Sequence, residues 1–308
     1  MRYNFKNLVF EGGACLGVAY SLSVQELENR GILKDICRVG GTSAGSIMAL
    51  LVSLGYRSPD IWNELNNVDF NKFLDYNLPL RLDCILRLFK NFGLYKGKFF
   101  EDWIKKIICK KTGNSEITFK ELKDKRFLEL YIIGANLNTS SYTIYSWEHS
   151  PDMPVYKAVR ISMSVPLLFS SIVDSSKNQN IDGGILNNYP VRLFDKKKYI
   201  DGTDSQEYIF NNSTLGFRLS SKNEDNEYKS INNIIDYLYN LIRIIMNVQS
   251  NSHLETDDWN RTIYICTDGI NGFDFNMSQE TKVKLIKAGQ QGIKEYFKWY
   301  DFVHKSQT

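Results

Sequence analysis

The residue best placed to do chemistry in this sequence is Ser43, set within Gly41-Thr42-Ser43-Ala44-Gly45. A serine hydroxyl attacks an ester or amide carbonyl once a neighbouring base takes its proton. The G-x-S-x-G spacing suits that work. It holds the serine on a sharp strand-to-helix turn, with Oγ exposed at the top of a sheet. Side chains at Gly41 or Gly45 would crowd such a turn. The motif alone is common, since at ordinary glycine and serine usage roughly one chain in ten of this length carries it by chance. Its meaning depends on the partners that the rest of the chain supplies.

Two kinds of base are available. The chain has three histidines, His149, His253 and His304. A Ser-Asp-His triad of the α/β-hydrolase order would have to use His253. That fold also sets its nucleophile after several strands, whereas Ser43 follows only two strand-like runs. His149, in a loop after Trp147-Glu148, and His304, near the end of the chain, read as surface residues. The other base is a carboxylate. Asp182 closes an apolar segment and is followed by Gly183 and Gly184, so it can be presented at an edge with open space around it. An Asp-Gly-Gly is also simply a turn. A free carboxylate, with a pKa of about 4, is a poor base, and burial would raise it toward the task. A Ser-Asp pair suits esters, whose alkoxide leaves more easily than an amide nitrogen.

The elements that must position these residues read as a parallel sheet. Leu8-Val9-Phe10 is a short apolar run ending in Glu11-Gly12-Gly13-Ala14-Cys15-Leu16-Gly17, and Val18 to Asn29 has helical spacing. Ile36 to Val39 reads as the strand entering the serine turn, and Ser46 to Leu54 as a buried helix after it. This β-loop-α-β-turn-α order places the loops after successive strands at one carboxyl edge. Gly12, Gly13 and the Ser43 turn should therefore face one crevice, with backbone N–H groups aimed at an oxyanion beside Ser43. The spacing G-G-x-x-x-G, with no acidic residue closing the next strand, does not fit a dinucleotide loop.

Further along, Ser58 and Pro59 open a helix, and the chain stays mostly helical to Gly113. Leu82, Ile85, Leu86 and Phe89 form one apolar face. Phe99, Phe100, Trp103, Ile104, Ile107 and Ile108 form another, with Lys105, Lys106, Lys110 and Lys111 opposite. These read as core-facing helices with solvated lysines; the alternative is a cap resting on an anionic lipid interface. Strands are predicted over Leu128–Ala135, Tyr142–Trp147, Thr214–Arg218 and Arg261–Thr267. Helices are predicted over Val155–Arg160, over Ile231–Val248, and from a Ser278 cap to about Tyr300. Ser221 to Glu227 reads as an exposed loop.

The totals exclude other classes. With 308 residues, 43% hydrophobic and 24% charged, the chain is a globular protein with room for a large core. A formal charge of +3 is too small to imply nucleic acid as a partner. The five cysteines, Cys15, Cys37, Cys84, Cys109 and Cys266, lack metal-ligand spacing and read as reduced core residues. No Asp-rich calcium loop occurs, so neither a metal nor another cofactor is expected. No apolar run has the length of a membrane span, and Leu8 to Phe10 near the N-terminus is too short for a signal-peptide core. This predicts a cytoplasmic or peripheral membrane protein, with export by a route lacking a cleavable signal as the alternative.

Three ordered blocks together resemble the patatin-like phospholipases. They are the glycine-rich loop (Gly12, Gly13, Gly17), the elbow (Gly41, Ser43, Gly45) and Asp182-Gly183-Gly184. Ser162-Met163-Ser164-Val165-Pro166, Gly184 to Pro190, Gly93-Leu94-Tyr95 and Thr118-Phe119 also look like the family's segments. The resemblance implies a three-layer α/β/α fold with a central, mostly parallel sheet. It covers about Asn7 to Leu193, more weakly beyond, and implies a catalytic domain over 5–195, with 196–308 as a strand and helix extension packed on it. It further implies a lipid acyl hydrolase with Ser43 as nucleophile, Asp182 as base, and oxyanion donors around Gly12, Gly13, Ala14 and Ala44. Membrane lipids or lipid aggregates would be the partners, and a protein activator is left unspecified. Two positions depart from the family: Ala14 stands where a third glycine is usual, and Leu16 where Arg or Lys is usual. A binding module with weakened catalysis, and a non-lipid esterase or thioesterase, are the rival readings.

Overall fold

In the computed structural model, residues 3–75, 87, 88, 90–220, 231, 234–251 and 257–305 are described. The first half runs β1 (Asn7–Phe10), α1 (Ser23–Asn29), β2 (Arg38–Thr42), α2 (Ala44–Ser53), α3 (Ser58–Asn67) and β3 (Gly93–Tyr95). Next come α4 (Lys98–Thr112), α5 (Phe119–Asp124), β4 (Glu129–Asn136), β5 (Ser141–Tyr145) and α6 (Val155–Ser162). The short strands β6 (Leu167–Phe169), β7 (Ile172–Val173) and β8 (Gln179–Asp182) follow. The chain closes with α7 (Lys198–Asp201), β9 (Thr214–Ser220), α8 (Ile234–Asn251), β10 (Thr262–Cys266) and α9 (Gln279–Lys305).

The central sheet runs β10-β9-β1-β2-β4, and these five strands are parallel. Strand alternation explains how it is covered on both sides. Leu8, Phe10, Val39, Leu130 and Ile132 point into the larger core with α1, α2 and α9. Val9, Tyr131 and Ile133 point the other way, onto Leu193, Phe194 and Tyr199. Helices thus flank a mostly parallel sheet, the architecture that the β-loop-α-β order predicts. β9 lies directly beside β1, so the C-terminal third of the chain contributes strands to the same sheet. Buried Arg261 ties the two parts together: its guanidinium bonds Asp195 at 2.6 Å and also Asp258.

The registers around β4 decide where the reactive residues go. Ile132 and Ile133 pair with β2 on one side and with β5 on the other. Gly134 to Asn136 pair with β5 and, on the side β2 has just vacated, with β8. β2 therefore ends with Thr42 opposite Ile133, and β8, running the other way, ends with Asp182 opposite the next residue, Gly134. Two strands meet end to end along one edge of β4. Their meeting point is where Ser43 and Asp182 stand.

Several local expectations change. The helix predicted over Val18–Asn29 is split into a 3-10 segment, Ala14–Tyr20, and α1. The break accompanies close packing, because Gly17 lies against Ala44 and Gly289 of α9 lies against the Ala19 carbonyl. The cysteines are not a set of core residues. Cys15 is buried, Cys37, Cys109 and Cys266 are exposed, all four are free thiols, and Cys84 lies outside the described residues. In α4, Phe100, Ile104, Ile107 and Ile108 are buried as predicted. Its lysines are largely engaged: Lys105 with Glu116 at 2.8 Å, Lys110 with Glu64, and Lys111 over the Tyr56 ring. The apolar face predicted from Leu82 to Phe89, the loop from Ser221 to Glu227 and His253 lie outside the described residues. Among the described residues, no helix is long and apolar enough to cross a membrane.

Candidate active site

The serine turn is built by close backbone approach. A Cβ on Gly41 would run into the Gly45 carbonyl, and one on Gly45 into the carbonyls of Phe10 and, at 2.6 Å, Glu11. Glycine at both ends thus lets β2 turn directly into α2 while α2 starts against the end of β1. Ser43 itself takes the strain, at φ 52° and ψ −126°. That region costs a non-glycine residue roughly 1–3 kcal/mol and persists only where neighbours over-determine it. Here the Ser43 N–H donates to Ser162 Oγ at 2.8 Å, whose hydroxyl donates to the Ile133 carbonyl at 2.6 Å. Thr42 Oγ1 donates to the Asn187 carbonyl at 2.9 Å.

Asp182 is held with equal care. Its N–H donates to the Ser164 carbonyl at 2.9 Å, and its Oδ1 accepts the Gly184 N–H at 2.7 Å. Behind Ser164 stands buried Arg160, which donates to Ser164 Oγ and to the Lys96 carbonyl, each at 2.6 Å. Burial pulls the Arg160 guanidinium down to about 10. The second Asp182 oxygen, Oδ2, is buried and accepts no hydrogen bond. The Ser43 hydroxyl is near enough to favour the Asp182 anion, yet it rests 3.7 Å from Met163 Sδ and leaves the bond to Oδ2 unmade. Burial dominates the balance, pushing the Asp182 carboxyl up to about 7 against the Gly184 N–H and the Ser43 hydroxyl. A carboxylate poised there can exchange a proton with an adjacent hydroxyl near neutral pH.

The glycine loop lies beside this pair, as the chain order predicts. A Cβ on Gly12 would stand 3.0 Å from Ser43 Cβ, and one on Gly17 2.8 Å from Ala44 Cβ. Gly12 differs from expectation in one respect. Its N–H is committed to the Asn188 carbonyl at 3.0 Å, so it is not a free donor. Asn188 returns a bond from Nδ2 to the Gly12 carbonyl at 3.2 Å, clipping the loop from both sides. Among the described residues, the N–H groups of Gly13, Ala14 and Ala44 have no acceptor. Those three can serve an oxyanion. Ala14 adopts φ 48°, a left-handed conformation that favours glycine. Leu16 itself supplies no cation to the loop; instead buried Arg218 pairs with Glu11 Oε1 at 3.8 Å, the Cys15 N–H donates to the Gly272 carbonyl at 2.9 Å, and Glu11 Oε2 accepts the Leu219 N–H at 2.7 Å.

Gly183 and Gly184 are close-approach residues. A Cβ on Gly183 would meet the Ile133 carbonyl at 2.6 Å, and one on Gly184 would meet the Met246 methyl at 2.6 Å and Asn188 Oδ1 at 2.8 Å. Ser162, Met163, Ser164, Asn188, Arg160 and Met246 are thus part of the site, although nothing in their spacing assigns them a role. The first five lie in or beside segments noted above. Met246 carries no signal at all, because a methionine in an apolar helix reads as core. His149 is held by Ser146 at 2.8 Å and His304 stacks on Tyr300, contacts that belong to other parts of the molecule. Among the described residues no group of three His, Cys, Asp or Glu side chains could hold a metal ion.

Comparison with known proteins follows the same outline. The family model described as patatin-like phospholipase matches residues 8–195. YqhO of Bacillus subtilis is 27% identical over 96% of this chain and 98% of its own. The "probable lipid hydrolase 463L" of invertebrate iridescent virus 6 is 28% identical over 74% of this chain and 76% of its own. Among solved structures, VipD from Legionella pneumophila superposes with a TM-score of 0.59 at 15% identity, over 95% of this chain and 66% of VipD. ExoU from the type III secretion system of Pseudomonas aeruginosa, solved in complex with SpcU, gives 0.53 at 16% identity, over 96% of this chain and 53% of the other. The chain therefore spans between half and two thirds of these two proteins, and the likeness to them is one of fold.

Proposed function

Because this chain belongs to the patatin-like phospholipase family, we propose that it hydrolyses fatty-acyl esters of lipids through a Ser43–Asp182 dyad. The observation that carries the proposal is the meeting of β2 and β8, which sets a strained, buried serine beside a carboxyl poised at about 7. The name of the viral relative, a probable lipid hydrolase, supports the substrate class.

The chemistry follows from the groups in place. Asp182 takes the Ser43 proton as Oγ bonds to the ester carbonyl carbon. The carbonyl oxygen becomes an oxyanion, received by the N–H groups of Gly13, Ala14 and Ala44. The tetrahedral species collapses, the C–O bond to the alcohol breaks, and protonated Asp182 gives its proton to the leaving alkoxide. An acyl-Ser43 ester remains. Water then attacks it, losing its proton to Asp182; the fatty acid leaves, and Ser43 regains a proton from Asp182. Each oxyanion donor of this kind is typically worth 10²–10³-fold in rate.

The test pairs product analysis with active-site labelling. Wild type should release fatty acid from a labelled phospholipid and react covalently with a fluorophosphonate, and Ser43→Ala should do neither while keeping its fold. Labelling that persists in Ser43→Ala would move the nucleophile elsewhere. Absence of both activities in wild type would favour the binding-module reading.

A further inference from the structure

Helix α8 has two apolar faces where an ordinary surface helix has one. On its inner side Ile242 and Met246 are buried, and the Met246 methyl packs toward Gly184, whose N–H holds the Asp182 carboxylate. On its opposite side stand Tyr237, Leu241, Ile244 and Val248, at successive spacings of four, three and four residues. That spacing places all four in one stripe along the helix. They are 41–63% exposed, and the stripe contains no charged residue. Single exposed apolar residues are ordinary; four in a row on one helix form a patch that water disfavours.

Position argues for what covers it. Ser43 is fully buried and Asp182 almost so, so an acyl ester has to enter past the elements that enclose them, and α8 is one of these. A lipid ester starts in an aggregate with its chains shielded from water. A docking face on the outside of the helix that packs over the Asp182 turn lets the chains pass toward the site without crossing water. Leu137, just past the carboxyl end of β4, and Val173, the last residue of β7, are exposed as well and extend the apolar character of the sheet edge that bears the site. An uncharged stripe of this kind seats in the acyl region of a zwitterionic layer and has no need of anionic headgroups. The lysines of α4, by contrast, are largely engaged with acidic or aromatic partners.

We propose that the Tyr237-Leu241-Ile244-Val248 face of α8 is the surface by which this protein docks on a lipid aggregate. The choice of lipid as occupant rests on the lipid-ester reading above. Flotation of the full chain with phosphatidylcholine vesicles tests it, run beside hydrolysis of a short-chain ester kept below its solubility limit. Wild type should float with the vesicles. The double variant Leu241→Ser/Ile244→Ser should bind on the order of 30-fold more weakly, as expected for two half-exposed apolar side chains. Its rate on the soluble ester should stay within about twofold of wild type. Should the double variant not fold, Val248→Ser probes the same face with a milder change and a smaller loss.

Equal flotation of wild type and variant overturns the docking face. So does a wild-type dimer that the substitutions dissociate, since a second copy would then be the occupant. If wild type docks through the stripe yet hydrolyses neither lipid nor soluble ester, the hydrolase reading fails and the docking face stands.

Discussion

On the sheet side of the site, directional bonds hold each reacting residue: Ser43 N–H to Ser162, Thr42 to Asn187, Asp182 N–H to Ser164. On the helix side, what meets the Asp-Gly-Gly turn is the methyl of Met246 against Gly184. Hydrogen bonds lose their worth within a few tenths of an ångström, so they fix atoms; apolar contact is non-directional and tolerates sliding. The difference suits the two tasks. Attack on a carbonyl needs Ser43 and Asp182 held to fractions of an ångström, whereas a bulky chain needs a cover that can yield. Floor variants should therefore act on the chemical step, and α8 variants on access to it.

The largest effect should come from Asp182→Asn, which removes the base and keeps the acceptor for the Gly184 N–H. A loss on the order of 10³-fold in kcat is expected, measured on soluble and aggregated esters alike. In wild type, kcat/KM should rise tenfold per pH unit up to about 7, where Asp182 becomes ionised, and level off above. A profile that stays flat down to pH 5 would show that Asp182 does not titrate where its burial places it.

The same substitution separates chemistry from stability on the floor. A carboxyl raised from 3.8 to about 7 holds its proton in the folded state over a range in which the unfolded chain has lost it. Stability therefore falls as pH rises from about 4 to about 7 and is constant above. The accumulated cost at pH 8 is at most about 4 kcal/mol. Asp182→Asn should be more stable than wild type in urea at pH 8, and by a smaller margin at pH 5. A margin that grows toward low pH would reverse the sign and refute the account.

Asn188→Ala loosens the floor without touching either reacting residue. It deletes the Nδ2 bond to the Gly12 carbonyl and leaves the Gly12 N–H to Asn188 carbonyl bond in place. A fall of about 10-fold in kcat with little change in KM is expected, because a loosened donor loop binds the transition state less well and the substrate about as well. A change confined to KM would make Asn188 a contact for substrate instead.

What could be read in the sequence divides along the same line. β1, β2, the serine turn and α2 are legible because turn glycines and short apolar runs are local signals. The juxtaposition of Ser43 and Asp182 is not local: it depends on β2 and β8 sharing one edge of β4, for residues 139 positions apart in the chain. The residues alone left Asp182 as one of two kinds of base, and the family resemblance chose it. The commitment of the Gly12 N–H to Asn188 is a fact of tertiary contact that no spacing encodes. The double-faced α8 was hidden for a different reason. An apolar helix reads as buried all round, and a sequence does not say which of two apolar faces meets the core.

The smallest effect tests the one strained position in the donor loop. Ala14 sits at φ 48°. Ala14→Gly should relieve about 1–2 kcal/mol of strain and give back up to about 1 kcal/mol through the greater freedom of glycine in the unfolded chain. A net gain near 1 kcal/mol corresponds to a rise in Tm of about 2 °C for a chain of this size. Activity should stay within about twofold, because the loop is already located by Asn188 on one side and by Cys15 N–H to Gly272 on the other. If Ala14→Gly instead raises kcat severalfold, the strain at position 14 is pulling the Gly13 and Ala14 N–H groups away from the oxyanion. The loop would then behave like the cover, adjustable and rate-limiting, and the boundary between rigid floor and yielding roof would have to be drawn on the other side of Gly13.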